Sequence, residues 1–184
     1  NRLIELTNQL LDFRKTETRG FSLNFVKTNI STILEDTYNS FKVLAEPKNL
    51  LYQLTLPEKE IYAYVDTDAF SKILSNLFNN AVKYARSEIK VGLAPANEER
   101  TFQITIQNDG HLIPIEMKEQ IFEPFFRMKE TEKQAGTGIG LSISKALAEL
   151  HKGKLELSDS NNRMNTFILS LPVHQEIEFD LHRL

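Results

Sequence analysis

In the segment ILSNLFNNAVKYA, residues 73–85, two amides and an amine recur one helical turn apart. Wound as a helix, side chains step roughly 100° per residue, so positions three and four apart share a side. Asn76, Asn80 and Lys83 then fall on one face, while Phe70, Ile73, Leu74, Leu77, Phe78, Ala81 and Ala85 fall on the other. A surface helix normally carries long charged side chains on its polar face, and an ordinary solvated face is the plain alternative here. The chemistry available to this set is more specific. An amide oxygen can coordinate a hard cation or hydrogen-bond a ligand without adding charge, and a lysine is a compact cation suited to phosphate.

A second segment has related chemistry. Gly136-Thr137-Gly138-Ile139-Gly140 directly precedes a helical pattern running from Leu141 to Leu150. Glycines let backbone N–H groups turn toward a ligand, and a helix N-terminus adds partial positive charge, so the segment has the physics of a phosphate cradle. The Walker loop is excluded, because it ends in Gly-Lys-Ser/Thr. The dinucleotide fingerprint is excluded too, since no strand runs directly into these glycines and their spacing differs.

These residues need elements to hold them. Residues 1–19 read as a helix with Leu3, Leu6, Leu10 and Phe13 on a seam of threes and fours, the end of a longer bundle helix. Residues 21–26 alternate as a strand. Residues 29–31 offer caps for a helix with Ile33, Leu34, Tyr38, Phe41 and Ala45 on its apolar face, ended by Pro47. Residues 50–56 and 60–65 read as a strand pair around 57–59, and Asp66 and Thr67 as caps for the Asn/Asn/Lys helix. Residues 88–93 and 101–107 form a hairpin. A long irregular stretch, 108–140, contains an aromatic knot at Phe122, Phe125 and Phe126 and a short helix over 115–122; loops this long in a compact domain are usually functional. A last hairpin, 155–157 with 166–171, follows the Leu141 helix. The expected fold class is α+β: a two-layer α/β sandwich with a mixed, mostly antiparallel sheet, three helices on one face and a long lid, preceded by the helix stump. The expected divisions are 1–19, 20–172 and a linker at 173–184.

Composition narrows the classes. The chain has 184 residues, 41% hydrophobic and 26% charged, which is ordinary for a soluble globular domain. A net charge of −3 gives no electrostatic case for nucleic acid. Without cysteine there is no disulfide, thiolate or cysteine metal chemistry. No apolar run approaches the ~20 residues that cross a bilayer. The four histidines, His111, His151, His174 and His182, share no metal-ligand spacing.

Taken together, the motifs resemble the ATP-binding catalytic domain of bacterial sensor histidine kinases, within the gyrase–Hsp90–kinase–MutL group. Residues 76–84, NLFNNAVKY, are similar to the family's asparagine box; 108–114, NDGHLIP, to its first glycine box; 122–127, FEPFFR, to its phenylalanine box; and 136–141, GTGIGL, to its second glycine box. Asn165-Thr166-Phe167 stands near the last, weaker motif. The resemblance spans residues 21–172 and is nearest to hybrid sensors in which kinase and receiver are fused. It implies an ATP site made of Asn76, Asn80, Lys83 and Tyr84; of Asn108, Asp109, Gly110 and Ile113; of Phe122 and Arg127, with Lys129 also in reach; of Gly136, Thr137, Gly138, Ile139, Gly140 and Leu141; and of Thr166. Asn80 would bind Mg²⁺ through its amide oxygen. Further implications are a dimerisation and phosphoacceptor hairpin as partner, a response regulator receiver domain, fused or separate, a homodimer in the full-length protein, and a cytoplasmic position in an inner-membrane sensor. None of the four histidines has the acidic-residue pattern of the family's phosphoacceptor box. That histidine and its base are expected upstream of Asn1.

One departure stands out. The family's first glycine box runs Asp-x-Gly-x-Gly, and its Asp accepts from the adenine amino group. In this register Asn108 holds the Asp position and Leu112 the second glycine. An amide oxygen still accepts, as a weaker neutral partner, and Asp109 is next door as a substitute. Two other readings compete with the kinase. An ATP-hydrolysing switch of the related kind has a Glu four residues before the metal-binding Asn, where this chain has Asn76, an amide that takes no proton at neutral pH. A degenerate scaffold module is motivated by Asn108 and Leu112.

Overall fold

The computed structural model describes residues 22–94, 100–129, 134, 136–158 and 163–174. The bundle helix expected at 1–19, the tip of the 94–101 turn, and the tail beyond His174 lie outside the described residues.

Asn29 caps the first helix, α1 (Ile30–Ala45), by accepting from the Thr32 N–H at 3.2 Å, and Asp66 caps the second, α2 (Thr67–Tyr84), by accepting from the Ala69 N–H at 2.9 Å. The third, α3 (Gly140–Leu150), begins at the glycine segment. The strands are β1 (Val26–Asn29), β2 (Leu51–Thr55), β3 (Tyr62–Val65), β4 (Glu88–Ala94), β5 (Thr101–Asn108), β6 (Lys154–Leu157) and β7 (Asn165–Pro172). Five of them form one sheet in the order β2-β4-β5-β7-β6, with β2–β4 parallel and the other pairs antiparallel. β1 and β3 pair antiparallel on their own. This is the expected α+β sandwich with a mixed, mostly antiparallel sheet.

The apolar face of α2 is the centre of the core. Phe70, Ile73, Leu74 and Phe78 are fully buried, and Phe70 meets Phe102 of β5 edge-on, ring centroids 6.2 Å apart. Alternation along β5 turns Phe102, Ile104, Ile106 and Asn108 inward. Across the ladder, Leu171, Leu169, Phe167 and Asn165 of β7 stand opposite them. Each inward strip is apolar for three positions and ends in an asparagine. Those two asparagines lie at the C-terminal end of α2.

Three expectations need correction. The 50–56 and 60–65 segments do not pair: β2 joins β4 and β3 joins β1. The strand read over 21–26 begins at Val26 instead. The helix expected over 115–122 is two 3₁₀ turns, Ile115–Met117 and Gln120–Phe122, with i→i+3 bonds such as Met117 N–H to Pro114 O at 2.9 Å. At the far edge, Val173 donates to the Arg100 carbonyl at 2.7 Å and accepts from Tyr64 N–H at 3.0 Å.

Candidate functional site

Where the inward strips turn polar, a cleft of about 910 Å³ opens between α2, the ends of β5 and β7, and the segment leading into α3. That is within the range of pockets that enclose small ligands. Asn76, Asn80, Lys83 and Tyr84 line it from α2, and Asn108, Ile113 and Arg127 line it from β5 and the long loop. Gly136, Thr137, Gly138, Gly140 and Leu141 close its other side. The two motifs that opened the sequence reading therefore face one another.

Asn76 is engaged. Its amide nitrogen donates to the Gly140 carbonyl and to Ser144 Oγ, both at 3.1 Å, and so ties α2 to the first turn of α3. A carboxylate could not make these donations. Asn80, one turn on, has no hydrogen-bond partner among the described residues, which leaves its oxygen available. Lys83 lies across the Tyr84 ring, 4.3 Å from the centroid, with Nζ 2.6 Å from the Tyr84 hydroxyl. A Cβ built on Gly136 would come 2.7 Å from that Nζ, so a bare backbone there lets the lysine approach the lid.

The lid is pinned at its base. Phe125 N–H donates to the Gly138 carbonyl at 2.9 Å. Gly138 has φ +77, and a Cβ on it would sit 2.8 Å from the Phe126 carbonyl oxygen, so both conformation and space require glycine. Arg127 donates to the Gln134 carbonyl at 2.5 Å, which holds its guanidinium beside the cleft.

Six expected residues, Lys129 among them, do not line the cleft. Asp109 faces the turn after α2 and accepts from the N–H groups of Arg86, Ser87 and Glu88 and from the Ser87 hydroxyl. Partial burial pushes its carboxyl pKa up, but the hydrogen bonds from Ser87, Glu88 and Arg86 outweigh it and hold the group well below the usual carboxylate range. It is an anchor, and it does not substitute for Asn108. Gly110 packs under that turn, where a Cβ would collide with the Tyr84 carbonyl. Phe122 is core, 6% exposed, with Lys145 Nζ 5.0 Å above its ring. Ile139 is buried, and its carbonyl accepts from Ser142 Oγ at 2.7 Å. Thr166 turns to the opposite face of β7, where its hydroxyl accepts from Gln107 Nε2 at 2.9 Å.

Residues outside the expected site also line the cleft, among them Lys48, His111 and Asn165. Lys48 reaches over from the 3₁₀ turn after α1 and donates to the Val82 carbonyl at 2.7 Å; nothing in its local sequence announces this. His111 is an exposed loop residue at the mouth. Asn165 lies on the floor, accepting from Ile113 N–H and donating to the His111 carbonyl, both at 2.9 Å. Strand alternation in NTFILSLP would have found it, since Asn165 shares a face with Phe167 and Leu169.

The residues present suit a magnesium–triphosphate group. Asn80 supplies an oxygen with no competing partner, Lys83 and Arg127 supply positive charge, and the N-terminus of α3 with its bare glycines can admit phosphate oxygens. Among the described residues no three His, Cys, Asp or Glu side chains gather to hold a metal on their own, so the ion would depend on the phosphates and water for its remaining ligands.

Comparison with known proteins defines the class. Residues 65–175 match the family described as histidine kinase-, DNA gyrase B-, and HSP90-like ATPases, and the chain belongs to that family. It is 33% identical over 178 residues to histidine kinase P4 of Formosa agariphila, covering 94% of this chain and 13% of that protein. Among solved structures it is similar to the catalytic domain of histidine kinase ThkA, with a TM-score of 0.73, 25% identity, and coverage of 83% of this chain and 97% of that one. The fold is also that of full-length ShkA in complex with AMPPNP, with a TM-score of 0.83 at 19% identity over 93% of this chain and 36% of that one. Within the family, then, this is a histidine kinase catalytic ATP-binding domain, and it spans a small part of the length of the curated relatives it matches.

Proposed function

We propose that this domain binds Mg·ATP in the cleft and donates the γ-phosphoryl group to a histidine on a helical hairpin, as the catalytic part of a two-component sensor kinase. Asn80 would hold Mg²⁺, which when bound neutralises charge on the phosphate oxygens. Lys83 and Arg127 add positive charge, Asn76 holds the first turn of α3 against α2, and the glycine segment admits the triphosphate. The division of the chain follows: 1–19 as the end of the hairpin, 20–172 as the catalytic domain with Val173 and His174 held on its edge, and the rest as a linker. The partners are the hairpin, a response regulator receiver domain, and a second copy of the full-length protein. The expected setting is the cytoplasmic side of an inner-membrane sensor. Among the described residues no helix is long and apolar enough to cross a membrane.

The observation that carries this reading is the Asn76 amide, which donates to Gly140 and Ser144 where a hydrolytic relative needs a carboxylate to activate water. A site without that base serves by positioning and charge neutralisation, which suits phosphoryl transfer to a protein acceptor. The test is to supply a separate hairpin domain with γ-labelled ATP, Mg²⁺ and this chain. Label on the hairpin histidine is expected. Free phosphate released at the same rate without any hairpin would overturn it.

A further inference from the structure

Asn108 and Asn165 stand opposite each other in the β5–β7 ladder, 3% and 6% exposed, and both line the cleft. They differ in how far they are satisfied. Asn165 uses both ends of its amide, toward Ile113 and His111. Asn108 does not: its Nδ2 is buried and has no hydrogen-bond partner among the described residues. A buried orphan donor in a native fold calls for an explanation, and at the floor of a binding cleft the simplest is a partner that arrives with the ligand. The position is tightly confined, since a Cβ on Gly110 would lie 2.7 Å from that nitrogen. Asp109 offers no second acceptor to the cleft, because its carboxylate is occupied by the turn after α2.

We propose that Asn108 reads the six-position of a purine nucleotide and admits a 6-oxopurine as readily as a 6-aminopurine. This rests on the nucleotide reading above and concerns its selectivity. The cationic groups and bare glycines take the phosphates, so the base falls to the polar floor. An asparagine amide presents an acceptor and a donor side by side. In one orientation it accepts from the 6-amino group of adenine and donates to N1. Rotated by half a turn, it donates to the 6-oxo group of hypoxanthine and accepts from N1–H. A carboxylate at the same place only accepts. It therefore favours the 6-amino group and sets lone pairs against a 6-oxo group. The amide thus removes a rejection, in addition to weakening an attraction.

The experiment is calorimetric titration of the chain with adenosine and inosine 5′-triphosphates, each with Mg²⁺. Dissociation constants within about 10-fold of each other are expected, because a single well-made base contact discriminates by about that much or more. Adenosine triphosphate preferred by more than that overturns the proposal. Asn108→Asp should raise the preference for adenosine triphosphate by about 10-fold or more, and an unchanged ratio also overturns it. Should the aspartate variant fail to fold by circular dichroism, Asn108→Leu decides: both nucleotides should weaken together, and loss of one alone counts against the idea. If neither nucleotide binds the unaltered chain, the proposed function falls as well, an outcome distinct from binding of adenosine triphosphate alone.

Discussion

The two ends of α2 are built on opposite principles. At the N-terminal end the Asp66 cap and the His151 ring beside it have protein partners. The Asp66 carboxylate accepts from Ala69 N–H at 2.9 Å and from Asn24 N–H at 2.8 Å. Its own N–H donates to His151 Nε2 at 3.2 Å, and the other ring nitrogen donates to the Leu147 carbonyl at 2.7 Å. His151 is fully buried at the end of α3. At the C-terminal end, the Asn80 amide and the Asn108 nitrogen are unmatched among the described residues, and Lys83 rests on its own neighbour. Satisfied polar groups hold helices together, whereas unsatisfied ones at a cleft await a ligand. A histidine and an asparagine can thus be assigned to structure or to binding by what they touch, where residue type alone does not decide.

Substitutions at the two ends should separate stability from affinity. The largest effect is expected at the closed end. His151→Ala empties a buried site and strands the Asp66 N–H, while the Leu147 carbonyl keeps the backbone N–H of residue 151, for a loss of about 3 kcal/mol in urea unfolding. The Mg·ATP affinity of the folded fraction should be unchanged. A comparable drop in affinity would break the contrast.

At the open end, Asn80→Ala should cost about 2 kcal/mol of Mg·ATP binding, roughly 30-fold in dissociation constant by calorimetry. Its melting temperature should move by less than about 2 °C, since the amide has no partner among the described residues. Asp109→Asn is the intermediate case, beside the cleft but engaged with the turn. It should lose about 1 kcal/mol of stability, solvent screening allowed for, with nucleotide affinity almost intact.

The smallest expected effect is a pH dependence. Burial pushes the His151 pKa down, against the Leu147 carbonyl and the nearby Asp66, which raise it. The unfolded chain therefore binds a proton that the native state resists. The stabilisation is fully present above the ordinary histidine value of about 6.5 and is lost as pH falls below it. His151→Gln keeps a donor and an acceptor but does not titrate, so its stability should be flatter between about pH 7 and pH 5.

Much of the site was legible because helical and strand periods are local facts. The period of 3.6 placed Asn76, Asn80 and Lys83 on one face, and the structure puts that face in the cleft. The glycine run before α3 was legible for the same reason. What failed was whatever depended on distant partners. Residues 51–55 and 62–65 look like a hairpin because a short turn joins them, yet each pairs with a strand that local reading does not bring near. Asp109 looked like a spare base-reading carboxylate until the turn at 86–88 was seen to occupy it. Lys48 gave no signal, since its role depends on where α1 ends relative to α2.

The parallel pairing of β2 with β4 also bears on the order in which the chain acquires its shape. β4 with β5, and β6 with β7, are hairpins that can close early from neighbouring residues. β2 cannot join until β3 and the whole of α2 have been laid between it and its partner, so its loop closure is long-range. In a refolding experiment read by hydrogen exchange, protection of Leu51–Thr55 should appear after that of Thr101–Asn108. Until then, the edge of β4 is an open strand to which another chain can add, and high protein concentration during refolding should trap the molecule there.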